Sequence, residues 1–113
     1  MAGRWARRGY LRNNAKADAN QKDIVDRLRT IPGVSVIEIG RPIDLIVGVS
    51  GIYYGDNQGR VFLIEIKNPE GANRIEKDQQ EFIEEWSVPE VLHVCRSLDD
   101  VMRVIRIPYK PAE

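Results

Sequence analysis

Residues 60–69 read Arg60-Val-Phe-Leu-Ile-Glu65-Ile-Lys67-Asn-Pro69, an apolar stretch with an acid and a lysine two positions apart. Its aliphatic and aromatic residues favour a β-strand, and Pro69 ends it because proline cannot donate to a central ladder. Strand side chains alternate between faces, so Glu65 and Lys67 are expected on the same face. Charges in a sheet core are costly without partners, so compensating groups are expected beside them.

A second apolar stretch, residues 41–48 (Arg-Pro-Ile-Asp-Leu-Ile-Val-Gly), contains one acid, Asp44. An antiparallel hairpin that pairs Asp44 with Glu65 also pairs Gly48 with Val61, and its turn falls on a Gly-Asp-Asn-Gln segment that suits a loop. This register brings two carboxylates and one lysine together on one face of the sheet. A cation bound between the carboxylates would balance their charge.

The size and composition of the chain indicate one soluble globular domain. It has 113 residues, of which 42% are hydrophobic and 30% are charged. We expect no membrane segment, because no apolar run approaches the length of a span and the N-terminus lacks a signal peptide's apolar block. The single cysteine, Cys95, cannot form an internal disulfide, which fits the cytoplasm, or a host cytoplasm if the gene is viral. His93 and Cys95 have no partners at zinc-ligand spacing, so both are predicted to be packing residues.

Residues 1–17 are predicted to be a basic, flexible N-terminal arm, whereas the rest of the chain has 12 basic against 17 acidic residues. Trp5 and Tyr10 lie among the cations of the arm, so it could grip phosphates and stack on bases. It could equally be a solvated tail whose aromatic residues dock on the body or on a partner subunit. The candidate DNA-binding residues are Arg4, Arg7, Arg8, Arg12 and Lys16.

The periodicity of the remaining chain predicts the element order α-β-β-β-α-β-α in a domain spanning residues 18–107, followed by a tail at 108–113. Asp18 is the expected N-cap of a first helix that ends at Ile31, and Ser97 and Asp100 resemble a capping box for the last helix. This order indicates an α/β fold in which helices flank a mixed sheet.

The sequence resembles the PD-(D/E)XK nuclease superfamily in its order of Pro-Ile-Asp44, a hairpin, and Glu65-Ile-Lys67. The segments 18–21 (Asp-Ala-Asn-Gln) and 78–82 (Asp-Gln-Gln-Glu-Phe) are similar to its virus-type replication-repair nuclease (VRR-NUC) family, in the small stand-alone form found in phages and bacteria. The resemblance spans roughly residues 18–105, and it implies a restriction-endonuclease-like core.

The resemblance implies a divalent-metal-dependent endodeoxyribonuclease. Asp44, Glu65 and the Ile66 carbonyl would hold Mg²⁺ or Mn²⁺, which prefer such hard oxygen ligands. Lys67 would position or deprotonate the attacking water. Gln79 matches the position on the second helix that points towards the site. The alternative interpretation is that Gln79 is an exposed helix residue without a role in the site.

Three polar residues of the first helix are possible accessory groups. Asn20 or Gln21 could hold a water bound to the metal, and Asp18 could ligate directly, although helix capping and simple solvent exposure are alternatives for each. Glu38, on the first strand, is an alternative acid with a weaker claim, because an edge strand can turn it to solvent.

The family resemblance implies branched DNA, including Holliday junctions, as the substrate and a homodimer as the assembly. Three alternatives remain open on the residues alone: a restriction- or repair-type nuclease for duplex or flap DNA, a non-catalytic DNA-binding module, and a structural protein in which Glu65 and Lys67 form a salt bridge.

Overall fold

The computed structural model describes residues 15–69, 77–86 and 92–109, except for the side chains of residues 15–18 and 78. These described residues contain three α-helices and four β-strands. The predicted element order α-β-β-β-α-β-α is confirmed. The arm residues Arg4, Arg7, Arg8 and Arg12 lie outside the described residues, as do tail residues 110–113 and the Lys16 side chain. In chain order the elements are α1 (Ala15–Leu28), β1 (Val34–Glu38), β2 (Leu45–Val49), a 3-10 helix (Gly51–Tyr54), β3 (Arg60–Ile66), α2 (Lys77–Glu85), β4 (Leu92–Cys95) and α3 (Leu98–Ile105).

The four strands form one mixed sheet in the order β1-β2-β3-β4. The pairs β1–β2 and β2–β3 are antiparallel, and β3–β4 is parallel. Gly48 pairs with Val61, as the predicted hairpin register requires. Continuing this register by one residue beyond the Leu45–Ile64 pair places Asp44 opposite Glu65.

The loop between β2 and β3 is shaped by Asp56, whose Oδ1 accepts hydrogen bonds from Gln58 N at 3.0 Å and Gly59 N at 3.3 Å. Gly59 has a φ of 73°, and a Cβ there would lie 2.7 Å from the Val49 carbonyl oxygen. Only glycine fits this approach of the two strands without strain.

One face of the sheet packs into the core with α1 and α3. The side chains of α1 at Ile24, Val25 and Leu28, with Ile31 just beyond the helix, are at most 2% exposed, so α1 packs on the sheet through one apolar stripe. The opposite sheet face is open in places, since Ile37 is 61% and Val61 is 68% exposed. The sheet residues of the core are Val34, Val36, Leu45, Val47, Val49, Ile64, Ile66 and Cys95.

The helix α1 begins three residues earlier than predicted, so Asp18 lies inside it and is not its N-cap. Residues 15–17 are Ala-Lys-Ala, strong helix formers, and they therefore join the helix instead of the predicted arm. At the other end α1 stops at Leu28, and Ile31 N bonds to the Leu28 carbonyl in a tighter turn.

Asp44 immediately precedes β2 instead of lying within it. Its carbonyl accepts hydrogen bonds from both Ile39 N at 2.8 Å and Gly40 N at 3.4 Å, so the backbone closes a turn between β1 and β2. Lys67 likewise follows the last residue of β3. Both side chains therefore sit where the ladder ends.

None of the helices in the described ranges combines the length and the hydropathy needed to cross a bilayer.

Candidate functional site

Three polar or charged residues are buried in the part of the chain that the structure describes, namely Asp44 (1% exposed), Glu65 (5%) and Gln79 (5%). All three belong to the site predicted from the sequence. Buried polar groups are costly, and their burial is more informative than that of apolar side chains. For Gln79 the alternative of an exposed helix residue is wrong.

The carboxylate of Asp44 is fixed to the end of β3, because its Oδ2 accepts a hydrogen bond from Ile66 N at 2.8 Å. Ile66 lies between Glu65 and Lys67 in the chain, so the Asp44 carboxylate lies beside the segment that carries both of these residues. In an antiparallel ladder the N–H and C=O of one residue face the same neighbouring strand, so the Ile66 carbonyl is expected on the Asp44 side. The Ile66 side chain is fully buried in the core, so Ile66 can contribute to the site only through its backbone atoms.

The amine of Lys67 lies against Glu65, with 3.4 Å between Nζ and Oε2. This confirms that the two side chains share one side of the sheet. The pair is more buried than the other ion pairs found among the described residues, with side chains 14% and 6% exposed. Burial strengthens the attraction within the pair and also raises the cost of taking both charges out of water.

The donor atoms of this site suit a hard dication. The described residues include no group of three or more His, Cys, Asp or Glu side chains placed to hold a metal ion. Mg²⁺ needs fewer protein ligands, because it takes one or two carboxylates and fills its shell with waters and phosphate oxygens. Asp44, Glu65 and the Ile66 carbonyl are a donor set of this type.

Asn20 makes contacts with the backbone. Its Nδ2 donates to the Lys67 carbonyl at 3.1 Å and to the Arg96 carbonyl at 3.0 Å, so the amide nitrogen holds two main-chain segments together. The role was not predicted from the sequence. A signal was present, since asparagine is a poor helix former and position 20 lies well inside α1.

Gln21 and Glu38 contact each other at the edge of the sheet, where Gln21 Nε2 donates to Glu38 Oε1 at 3.2 Å. Gln21 Oε1 is buried and accepts no hydrogen bond from the described residues. Arg29 lies 3.8 Å from Glu38, whose side chain is 46% exposed. Glu38 is thus largely solvent-facing. For Asp18, the third accessory candidate, the side chain lies outside the described atoms.

The only cysteine and the only histidine of the chain are both strand residues of β4. Burial, and secondarily the charge of Asp100, raise the pKa of the Cys95 thiol to about 12. A thiol with such a pKa is a poor nucleophile at neutral pH. His93 lies with its ring centroid 6.3 Å from that of Phe62. Both residues pack, as predicted.

No family model, curated protein or solved structure matches this chain. The functional interpretation therefore depends on the residues of the site and their geometry.

Proposed function

We propose that this protein is a divalent-metal-dependent endodeoxyribonuclease with a restriction-endonuclease-like core. The main support is the burial of Asp44, Glu65 and Gln79, with the Lys67 amine held 3.4 Å from Glu65. These are the four catalytic residues that the sequence motif singles out. The element order and the mixed sheet agree with the core that the resemblance implies.

Asp44, Glu65 and the Ile66 carbonyl are the proposed ligands of Mg²⁺ or Mn²⁺. Such a cation lowers the pKa of a water and offsets the charge that develops on the phosphate. Asp44 is held by its hydrogen bond from Ile66 N, so its carboxylate does not have to reorganise when substrate binds.

Lys67 is proposed to position the attacking water and to offset the charge of the phosphate as an ammonium group, or to accept the proton of that water as the neutral amine. Its contact with Glu65 fixes the direction of the amine. Gln79 offers two donors and an acceptor without adding charge, so it can orient a water or a phosphate oxygen.

The proposed substrate is branched DNA, including Holliday junctions, and the proposed assembly is a homodimer in the cytoplasm. Two sites related by a two-fold axis would match the symmetry of a four-way junction. Both proposals follow from the VRR-NUC resemblance. Sedimentation equilibrium of the purified protein tests the dimer.

The proposed activity is tested with duplex, single-stranded, flap and four-way-junction DNA, each with Mg²⁺, Mn²⁺ or EDTA. We expect Glu65→Gln and Lys67→Gln each to lower cleavage by at least about 10²-fold, the scale of one lost acid–base group. Cleavage confined to duplex or flap DNA would instead favour the restriction- or repair-type nuclease.

The matched control is Asp26→Asn, which changes an exposed α1 carboxylate whose partner Lys22 lies 2.7 Å away. It should cleave at the wild-type rate. The nuclease assignment is wrong if the wild-type protein cuts none of the four DNAs with either metal, or if folded Glu65→Gln cuts normally.

A structural protein is the second candidate, and the Glu65–Lys67 contact at 3.4 Å is the observation that favours it. In that case the pair would serve only as a partly buried salt bridge. A DNA-binding module without catalysis would also cleave none of the four DNAs, but it would still retard labelled DNA in a gel.

A further inference from the structure

The amide of Asn20 joins three segments that are distant in sequence. Its Nδ2 donates to the Lys67 carbonyl at 3.1 Å and to the Arg96 carbonyl at 3.0 Å, across 47 and 76 residues of chain. We call these two hydrogen bonds the Asn20 bridge. They use both hydrogens of the amide nitrogen.

The two carbonyls of the Asn20 bridge lie directly beyond two neighbouring strands. Because β3 and β4 are parallel and Ile66 pairs with Cys95, Lys67 and Arg96 leave the sheet side by side. Lys67 N also donates to the Cys95 carbonyl at 2.9 Å. The main chain of Lys67 is therefore held through both its N–H and its C=O, although it lies outside the strand.

The same stretch of backbone is held from the opposite side by Asp44, through the hydrogen bond from Ile66 N at 2.8 Å. The backbone from Ile66 to Lys67 is thus fixed by β4 and α1 on one side and by Asp44 on the other. This backbone sets the direction in which the Lys67 side chain leaves the main chain, and the amine lies 3.4 Å from Glu65 Oε2.

We propose that Asn20 is a positioning residue that fixes Lys67 through the Asn20 bridge. Its catalytic consequence rests on the proposed nuclease function, whereas the bridge itself does not. An amide is required at this position, because a carboxylate would face two carbonyl oxygens and a hydroxyl could donate only one hydrogen. This requirement explains why a poor helix former occupies the interior of α1.

The first test is amide hydrogen exchange of the full-length, metal-free protein, read by NMR. In Asn20→Ala and Asn20→Asp we expect the exchange of the Lys67 amide to rise at least about ten-fold relative to amides of the β1–β2 ladder. Ten-fold corresponds to about 1.4 kcal/mol, the scale of one net hydrogen bond. Asp26→Ala, on the exposed face of the same helix, should leave this ratio unchanged.

The second test is kinetic, with the DNA that the wild-type protein cleaves. Loss of the bridge should lower kcat at least about ten-fold and leave KM nearly unchanged, because Lys67 is displaced but the surface that binds DNA is not. Asp26→Ala should retain both constants. A purely structural role would leave kcat of the folded fraction at the wild-type value.

The outcomes separate this inference from the proposed function. Wild-type protection of the Lys67 amide in Asn20→Ala, or faster exchange that is equal throughout the sheet, overturns the positioning role even if the wild-type protein is an active nuclease. If the wild-type protein cleaves no DNA, the nuclease proposal fails, but selective loss of protection at Lys67 still supports the bridge.

Discussion

At the scale of single residues, two pairs of acids in this protein differ in their surroundings. Asp56 and Asp100 are partly exposed, and backbone N–H groups lower the pKa of each, from Gln58 for Asp56 and from Arg96 for Asp100. Such carboxylates shape turns and cap helices. Asp44 also accepts a backbone N–H, but it is buried together with Glu65. The burial of two carboxylates is hard to explain by turn formation alone, and it agrees with the proposed cation site.

A bound dication should stabilise the folded protein by mass action. We expect Mn²⁺ at 100 times its Kd to raise the free energy of unfolding by about 2.7 kcal/mol, the linkage value for a ligand that binds only the native state. Asp44→Asn should abolish the increase, because it removes an anionic ligand while its side-chain oxygen can still accept the Ile66 N–H. Urea unfolding with and without MnCl₂ measures both effects.

The control for this experiment is Asp26→Asn, which should keep the full increase because it removes an exposed carboxylate outside the site. No stabilisation of the wild-type protein, or equal stabilisation of Asp44→Asn, would rule out the dication site. The Glu65–Lys67 pair would then be a structural salt bridge.

At the scale of elements, local sequence signals were enough for the hairpin and the helices that bury an apolar stripe. The register of β2 and β3 could be predicted because the Gly-rich turn limits how the strand-forming runs on either side of it can pair. The predicted pair of Gly48 and Val61 is present. β4 pairs in parallel with β3, and α2 lies between them in the chain, which is the kind of crossover connection that parallel strands require.

Other features depend on interactions that no local pattern records. The early start of α1 reflects the high helix propensity of Ala-Lys-Ala before Asp18, which outweighs the preference of Asp18 for an N-cap position. The partners of Asn20 are 47 and 76 residues away, so its role becomes visible only once α1 packs beside the ends of β3 and β4. The burial of Gln79 likewise depends on tertiary packing.

The capping box of α3 shows how a predicted element start is realised. Ser97 Oγ accepts from Asp100 N at 3.1 Å, as predicted, whereas Asp100 Oδ2 accepts from Arg96 N at 2.8 Å, one residue before the N-cap. The first hydrogen bond starts the helix, and the second ties its first turn to the end of β4.

This second hydrogen bond gives α3 a pH dependence that can be measured. The N–H of Arg96 lowers the pKa of Asp100 below its usual 3.8, with Arg103 as a further cause. A lowered pKa in the folded state adds stability above the unfolded pKa, and this stability is lost as pH falls through the folded value. Asp100→Asn should therefore be less stable than wild type by about 1 kcal/mol at pH 7.

The difference between wild type and Asp100→Asn should shrink as the pH falls below the usual 3.8 of this carboxyl, which urea unfolding at several pH values would show. Asp99→Asn removes a charge of the same sign from the same turn and is the matched control. A difference that stays constant as the solution is acidified, or the same profile for both variants, would contradict the assigned role of the Asp100 carboxylate.

At the scale of the whole molecule, the charges are divided between two parts of the chain. The formal net charge is zero, but residues 1–17 contain five basic residues and no acid, and they precede an acidic body. The proposed site adds to this division, because Asp44 and Glu65 outnumber Lys67 there. A polyanionic substrate would therefore gain most of its electrostatic attraction from the arm and from bound cations, and little from the body.

This division predicts how the affinity for DNA depends on salt. Replacing Arg4, Arg7, Arg8 and Arg12 together by Gln should flatten the slope of log K against log [salt] by about 0.9 for each phosphate that the arm no longer neutralises. Fluorescence anisotropy with the wild-type protein's preferred DNA, at several salt concentrations in Ca²⁺ or EDTA, measures the slope. Arg27→Gln/Arg103→Gln is the control, since each of these residues already pairs with an acid. An unchanged slope in the fourfold variant would show that the arm does not touch DNA phosphates and would favour its docking on the body or on a partner subunit.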